Sequence, residues 1–371
     1  MIVLGLFNCS AFSQKISQND YSLIDEKALA IPNSITKTTD GLAKYFDSNF
    51  QSDKEKVRAA FVWVASNISY DTNYSFDTSE NRNDKIEKSL KNRKGVCENY
   101  AALFTEICNK IGIKSYVVEG YTKQNSKIIE ESHAWSAANI DGSWFIFDPT
   151  WSSGYIENGK FVQNLNNTYF LQSPEKAICT HMSFDYLWQF SNQPISNQDF
   201  YDGKVTSSSK VKNFNFEQAL MLYETQNYLS KLKSSAVRIQ ENGLTNALIK
   251  RHYLYLETSI DHIHQNKVIT LYNAAAAHYN QALTAYNDFV HIRNKNNGKR
   301  GSTNSLEKMV AKAEIDIKSA KEILKSLPVA NSKTTLAANQ LMQSVASVSI
   351  DVQKQKLWLR KYLMDAGNIS K

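Results

Sequence analysis

Between two runs rich in aromatic and branched residues, 132–140 and 143–148, the chain carries only Asp141-Gly142, and this dipeptide constrains the fold more than any other feature. Asp-Gly is a two-residue hairpin turn, because both central positions of the tight turn need positive φ. A hairpin closed there sets Trp135 opposite Asp148 and His133 opposite Thr150. Side chains alternate across a strand, so His133 and Asp148 share one face as diagonal neighbours, roughly 7–8 Å apart at the backbone and within side-chain reach.

Upstream, Gly95 breaks the chain. Ala101, Leu103, Phe104, Ile107, Cys108 and Ile111 then recur at helical spacing until Gly112, which predicts a helix with Cys97 in its first turn. There the helix dipole and the unpaired backbone N–H groups favour a thiolate, the nucleophilic form of cysteine. Taken singly, a cysteine near a helix start is usually a small buried hydrophobe, and a strand histidine a satisfied structural residue. The order Cys97, His133, Asp148, with a turn that couples the last two, points instead to a nucleophile, its base and the base's orienter.

Several segments resemble the transglutaminase-like superfamily of papain-type thiol enzymes, and within it the kyphoscoliosis-peptidase-like branch. They are residues 61–71, Gly95-Val96-Cys97, Ser132-His133-Ala134-Trp135, Asp148-Pro149-Thr150-Trp151, residues 169–175 and Thr180-His181. The resemblance covers residues 40–195. It implies an α+β fold, a nucleophile helix packed on an antiparallel sheet that carries the histidine and aspartate, and acyl transfer through a thioester. Cys97 would attack a carboxamide or peptide carbonyl, His133 would exchange the proton, and Asp148 would hold the imidazole tautomer. One oxyanion donor is the backbone N–H of Cys97. Trp63, Asn67 and Tyr70 are candidates for the second, and Trp151 is a candidate wall of the cleft. The favoured activity is that of a cysteine peptidase or amidase acting on a protein or peptide. Two alternatives use the same fold: a catalytically silent binding scaffold, and a cross-linking acyltransferase that passes the acyl group to an amine.

The length of 371 residues predicts two domains, and 42% apolar content with thirteen Gly and five Pro predicts folded, helix-rich structure. A net charge of +7 without a glycine-rich phosphate loop, zinc-finger spacing or dense basic helix excludes nucleic acid as the expected partner. The short apolar run at residues 2–7, followed by Ala11-x-Ser13, reads as an export signal over residues 1–14, giving a periplasmic or secreted protein. Lipidation at Cys9 is the less favoured reading, since the bulky Asn8 precedes it. No later run approaches the ~20 apolar residues of a membrane span. Cys97, Cys108 and Cys179 give no disulfide framework. No cofactor or metal is expected, because Cys179 and His181 lack a second ligand pair, and among His252, His262, His264, His278 and His291 the closest two lie on different helix faces.

Residues 15–195 are thus expected to form the transglutaminase-like domain, with helices at 38–50 and 53–67, the latter capped by Asp53. Polar loops are expected at 71–92 and 124–131, and a linker at 196–210. Over 211–371 the period changes. Leu306, Val310, Ala313, Ile317, Ala320, Leu324 and Leu327 step by three and four, as do Leu341, Val345, Val348 and Val352, so an antiparallel bundle of about four helices is expected. This bundle is the expected surface for a protein partner or self-association.

Overall fold

The computed structural model describes residues 21–75, 81–204, 214–295, 303–329 and 331–368; the expected export signal at 1–14 lies outside them. Three helices come first among the described residues: α1 (Ser22–Leu29), α2 (Thr39–Asn49) and α3 (Asp53–Asn67). The cap of α3 is Ser52, not Asp53. Its hydroxyl accepts from Glu55 N–H while the Glu55 carboxylate accepts from Ser52 N–H, a reciprocal box that satisfies two orphan donors. Strand β1 (Ser69–Tyr70) pairs in parallel with β2 (Lys94–Gly95), and α4 (Arg82–Asn92) lies between them. Helix α4 replaces most of the loop expected over 71–92. Only Ile86 and Leu90 give it apolar period, but Asn81 and Asp84 cap it reciprocally.

Next come α5 (Cys97–Lys110), β3 (Ser115–Gln124), β4 (Lys127–Ile140) and β5 (Ser143–Phe147), then α6 (Pro149–Ser153) and the hairpin of β6 (Gly154–Glu157) with β7 (Lys160–Gln163). After α7 (Pro174–Ala177), strand β8 (His181–Ser183) completes an antiparallel sheet of order β5-β4-β3-β8. The β4–β5 register runs from Ser136 opposite Phe147 to Ile140 opposite Ser143, closed by Asp141 and Gly142 at φ 52° and 82°, as the turn chemistry dictates. The loop expected at 124–131 shrinks to Asn125-Ser126, because β4 starts at Lys127 and pairs with the end of β3.

Helix α5 packs on the sheet. Phe61, Phe104, Phe147 and Phe170 form a buried cluster with ring centroids 5.1–6.2 Å apart, and the Thr105 and Ser136 hydroxyls meet at 3.1 Å across the helix–sheet contact. Beside this cluster lies Arg58, 1% exposed, paired through two nitrogens with Asp25 at 2.7 and 2.6 Å, bonded to Asn167 at 2.7 Å and covered by the rings of Tyr21 and Phe170.

The chain divides into two compact units at Glu257/Thr258, whereas the sequence placed the change at 196–210. The difference has a physical cause. The described part of that stretch holds α8 (Asn197–Tyr201), whose Phe200 packs edge-on to Tyr121 of β3. Helices α9 (Phe216–Thr225) and α10 (Tyr228–Asn242) also dock on the first unit: Lys114 and Tyr116 bind Glu224, and Arg238 grips Asp185 through two nitrogens. The long helix α11 (Ala247–Lys295) contains the division. In the second unit its Ala275, Ala282 and Phe289 pack with the expected seams of α12 (Thr303–Lys325) and α13 (Ser332–Asn368); over 211–371, where about four helices were expected, the described residues hold five, α9 to α13. Among the described residues no helix is long and apolar enough to cross a membrane.

Candidate active site

Cys97 is the first residue of α5 and is partly exposed. The start of the helix is fixed by Asn99, whose Oδ1 accepts from Val96 N–H at 3.0 Å and whose Nδ2 donates to Lys85 O at 3.1 Å. Gly95 is required there, since a Cβ would lie 2.5 Å from the Asn99 Cβ. The β1–β2 pairing sets Tyr70 opposite Gly95 and so brings the tyrosine beside the nucleophile position. Burial, together with nearby Cys97, Glu131 and Asp148, pushes the Tyr70 phenol up to about 12, so it stays a protonated donor.

His133 lies on β4 opposite Gly120 of β3, with its ring between Trp135 and Trp151 at centroid distances of 6.1 and 5.4 Å. Strand pairing ends at Phe147. Asp148 therefore leaves the strand and caps α6, accepting at Oδ1 from Thr150 and Trp151 N–H at 2.9 and 3.0 Å, and Thr150 belongs to α6 instead of facing His133. The swing brings Asp148 Oδ2 to 2.7 Å from His133 Nε2. Cys97 lies near enough to the same imidazole to favour its protonated form. Burial opposes a charge on His133, but the charge and hydrogen bond of Asp148 and the contact with Cys97 outweigh it and raise the imidazole well above its ordinary range. Burial likewise opposes the Asp148 carboxylate, and His133 and His181 more than offset it, holding the group below the usual carboxylate range.

His181 is the site residue to which the sequence assigns no catalytic role: Thr180-His181 enters only as part of the family resemblance, with a zinc pairing to Cys179 set aside. It is buried on β8, with Nε2 3.1 Å from the same Asp148 oxygen and Nδ1 2.8 Å from the Thr180 hydroxyl. Cys179 turns to Glu175 O. Gly120 lets β8 come close, since a Cβ there would lie 2.1 Å from Met182 O. Ligand atoms of His133, Asp148 and His181 all lie within 4.8 Å of one another, a geometry that admits a metal ion. Both Nε2 atoms already hydrogen-bond the carboxylate oxygen between them, so the three groups satisfy one another.

The four cleft candidates separate. Tyr70 and Trp151 lie at the site, Tyr70 beside Cys97 and Trp151 against the His133 ring. Trp63 is 1% exposed in the core under the Arg93 guanidinium, and the Asn67 amide donates to Trp63 O at the end of α3.

Residues 40–149 match the model of the family described as the transglutaminase-like superfamily, and that segment includes Cys97, His133 and Asp148. The chain carries a transglutaminase-like domain. Over 157 residues it is 32% identical to kyphoscoliosis peptidase of Mus musculus, and equally to that of Homo sapiens; each alignment covers 40% of this chain and 24% of the relative. The Lim and transglutaminase domain protein ltd-1 of Caenorhabditis elegans is 26% identical over 212 residues, 52% of this chain and 29% of that protein. The alignments thus span about a quarter of the length of these relatives. They place the transglutaminase-like domain in the kyphoscoliosis-peptidase-like branch.

Proposed function

We propose that the transglutaminase-like domain is a thiol enzyme that cleaves a peptide or carboxamide bond through an acyl-enzyme on Cys97. The observation that carries this reading is the His133–Asp148 pair, in which the carboxylate holds Nε2 at 2.7 Å and leaves Nδ1 for the nearby Cys97 thiol at the start of α5. The Cys97 sulfur attacks the carbonyl carbon and forms the C–S bond while His133 carries the thiol proton. That proton passes from Nδ1 to the departing amine as the C–N bond breaks, leaving a thioester. Water then attacks, gives its proton to Nδ1, and releases the acid as the C–S bond breaks and the proton returns to sulfur. Asp148 keeps His133 in the Nε2–H tautomer throughout. The Cys97 N–H, in the first helical turn where no intrahelical acceptor exists, and the Tyr70 hydroxyl supply the two oxyanion donors. Export follows from the N-terminal sequence in this reading.

The test is labelling of the full chain with iodoacetamide at neutral pH, with mass-spectrometric assignment of the alkylated cysteine. Cys97 reacts selectively, Cys97→Ala abolishes the label, and His133→Ala slows it roughly 10²-fold. Equal labelling of Cys97 and Cys108, indifferent to His133, would favour a binding scaffold. Product masses with and without an added primary amine separate hydrolysis from cross-linking transfer.

A further inference from the structure

Resting on the reading above, we propose that His181 is a positioning residue for the thiol chemistry, a second imidazole that donates its Nε2–H to Asp148 and so fixes the carboxylate that orients His133. Asp148 is fully buried and accepts four hydrogen bonds: two backbone N–H groups on Oδ1, and His133 and His181 on Oδ2. A carboxylate offers about four lone-pair sites, so this one is saturated and cannot turn. Asp148, an acceptor only, requires the His181 ring hydrogen on Nε2, and Nδ1 then accepts from the Thr180 hydroxyl at 2.8 Å, a shorter contact than that hydroxyl's 3.4 Å to Ala177 O.

The surroundings keep His181 a neutral donor. The rings of Trp135, Trp151 and Tyr169 stand 4.9–5.2 Å from its own, and the charged groups that face it are Asp148 and His133. Burial lowers its proton affinity, the neighbouring His133 lowers it further, and Asp148 acts in the opposite sense without reversing the result. A neutral imidazole with one N–H can donate to Asp148 but does not compensate its charge. The ion pair therefore belongs to His133 alone. Strand β8 is delivered by Gly120, opposite Ser183 on the neighbouring strand, where a side chain would collide with Met182 O.

The experiment compares the pH–rate profile of Cys97 alkylation by iodoacetamide in the native chain, His181→Phe, which keeps a ring without a donor, and His181→Gln, which keeps a donor. The expected result is a plateau rate roughly tenfold lower in His181→Phe, the size of one lost hydrogen bond to a charged group, with the acid edge of the profile moved to higher pH. His181→Gln recovers most of the rate and returns the edge. A His181→Phe protein with the native edge overturns the proposal even if its Tm falls, because a packing role moves stability and leaves the edge alone. Equal losses in Phe and Gln variants overturn it too. If His181→Phe does not fold, Thr180→Val takes its place: the edge moves the same way, and an unmoved edge refutes the idea. Failure of the native chain to label selectively at Cys97 would instead sink the proposed function itself.

Discussion

Each unit of the molecule holds a buried aspartate paired with histidine, and the two pairs differ in what stands beyond the imidazole. In the second unit Asp316 accepts from His278 at 2.9 Å and Lys312 at 2.8 Å, but these partners are 37% and 58% exposed. In the first, Asp148 meets two imidazoles that are 9% and 1% exposed, and behind one of them lies a sulfur. The cysteines among the described residues, Cys97, Cys108 and Cys179, all belong to the first unit. An aspartate–histidine bond is therefore common structural material. Under the proposed function it becomes chemistry only where the second ring nitrogen is left for a nearby thiol in a buried, fully bonded setting.

The sharpest way to break this comparison is the same substitution in both units. Asp148→Asn places an amide where Nε2–H donates and favours the wrong imidazole tautomer, so Cys97 labelling falls roughly 10²-fold or more, whereas Asp316→Asn leaves the labelling rate unchanged. Gly120→Ala comes next. By pushing β8 from β3 it destabilises the first unit by about 1–3 kcal/mol in denaturant unfolding and slows labelling, although it lies outside the triad. Gly142→Ala, at φ 82° with open space around it, costs only about 1 kcal/mol of local backbone strain and spares the site.

The pH dependence of stability separates the pairs further. His133 has a raised folded value, so its stabilising contribution is fully present below its unfolded value of 6.5 and is lost as pH rises through the folded value, about 10. The Tm gap between the native chain and His133→Gln is accordingly widest near pH 5.5 and narrows by pH 9.5. A gap that widens with pH would reverse the assignment. The smallest effect is on stability at Asp316: partners this exposed are screened, and Asp316→Asn shifts stability by no more than about 1 kcal/mol.

The contrast also separates what the sequence could reveal from what it could not. Local turn and helix chemistry was legible: Asp141-Gly142 set the hairpin register, and Gly95 placed Cys97 at the start of α5. His181 was not legible, because its role depends on a three-residue strand paired across a glycine sixty positions earlier in the chain, a contact with no local period. Helix α4 escaped for the opposite reason: its caps were readable in Asn81 and Asp84, but its composition is almost wholly polar. The boundary between the units was missed because amphipathic α9 and α10 fit a bundle or a sheet domain equally well. Ion pairs from Glu224 and Arg238 to residues of the sheet domain fix where they dock, and such pairs carry no signature in a single sequence.

The sandwiched Arg58 sets a limit on how far the chain can be trimmed from its N-terminal side. Its guanidinium is neutralised by Asp25 on α1 and also holds Asn167, in the loop whose Tyr169 carbonyl receives the Asp148 amide. Proteolysis that stops short of residue 21 leaves this lock intact. A cut beyond Asp25 strands a positive charge in the core at a penalty of about 3–5 kcal/mol, and loosens the loop that supports Asp148 along with it.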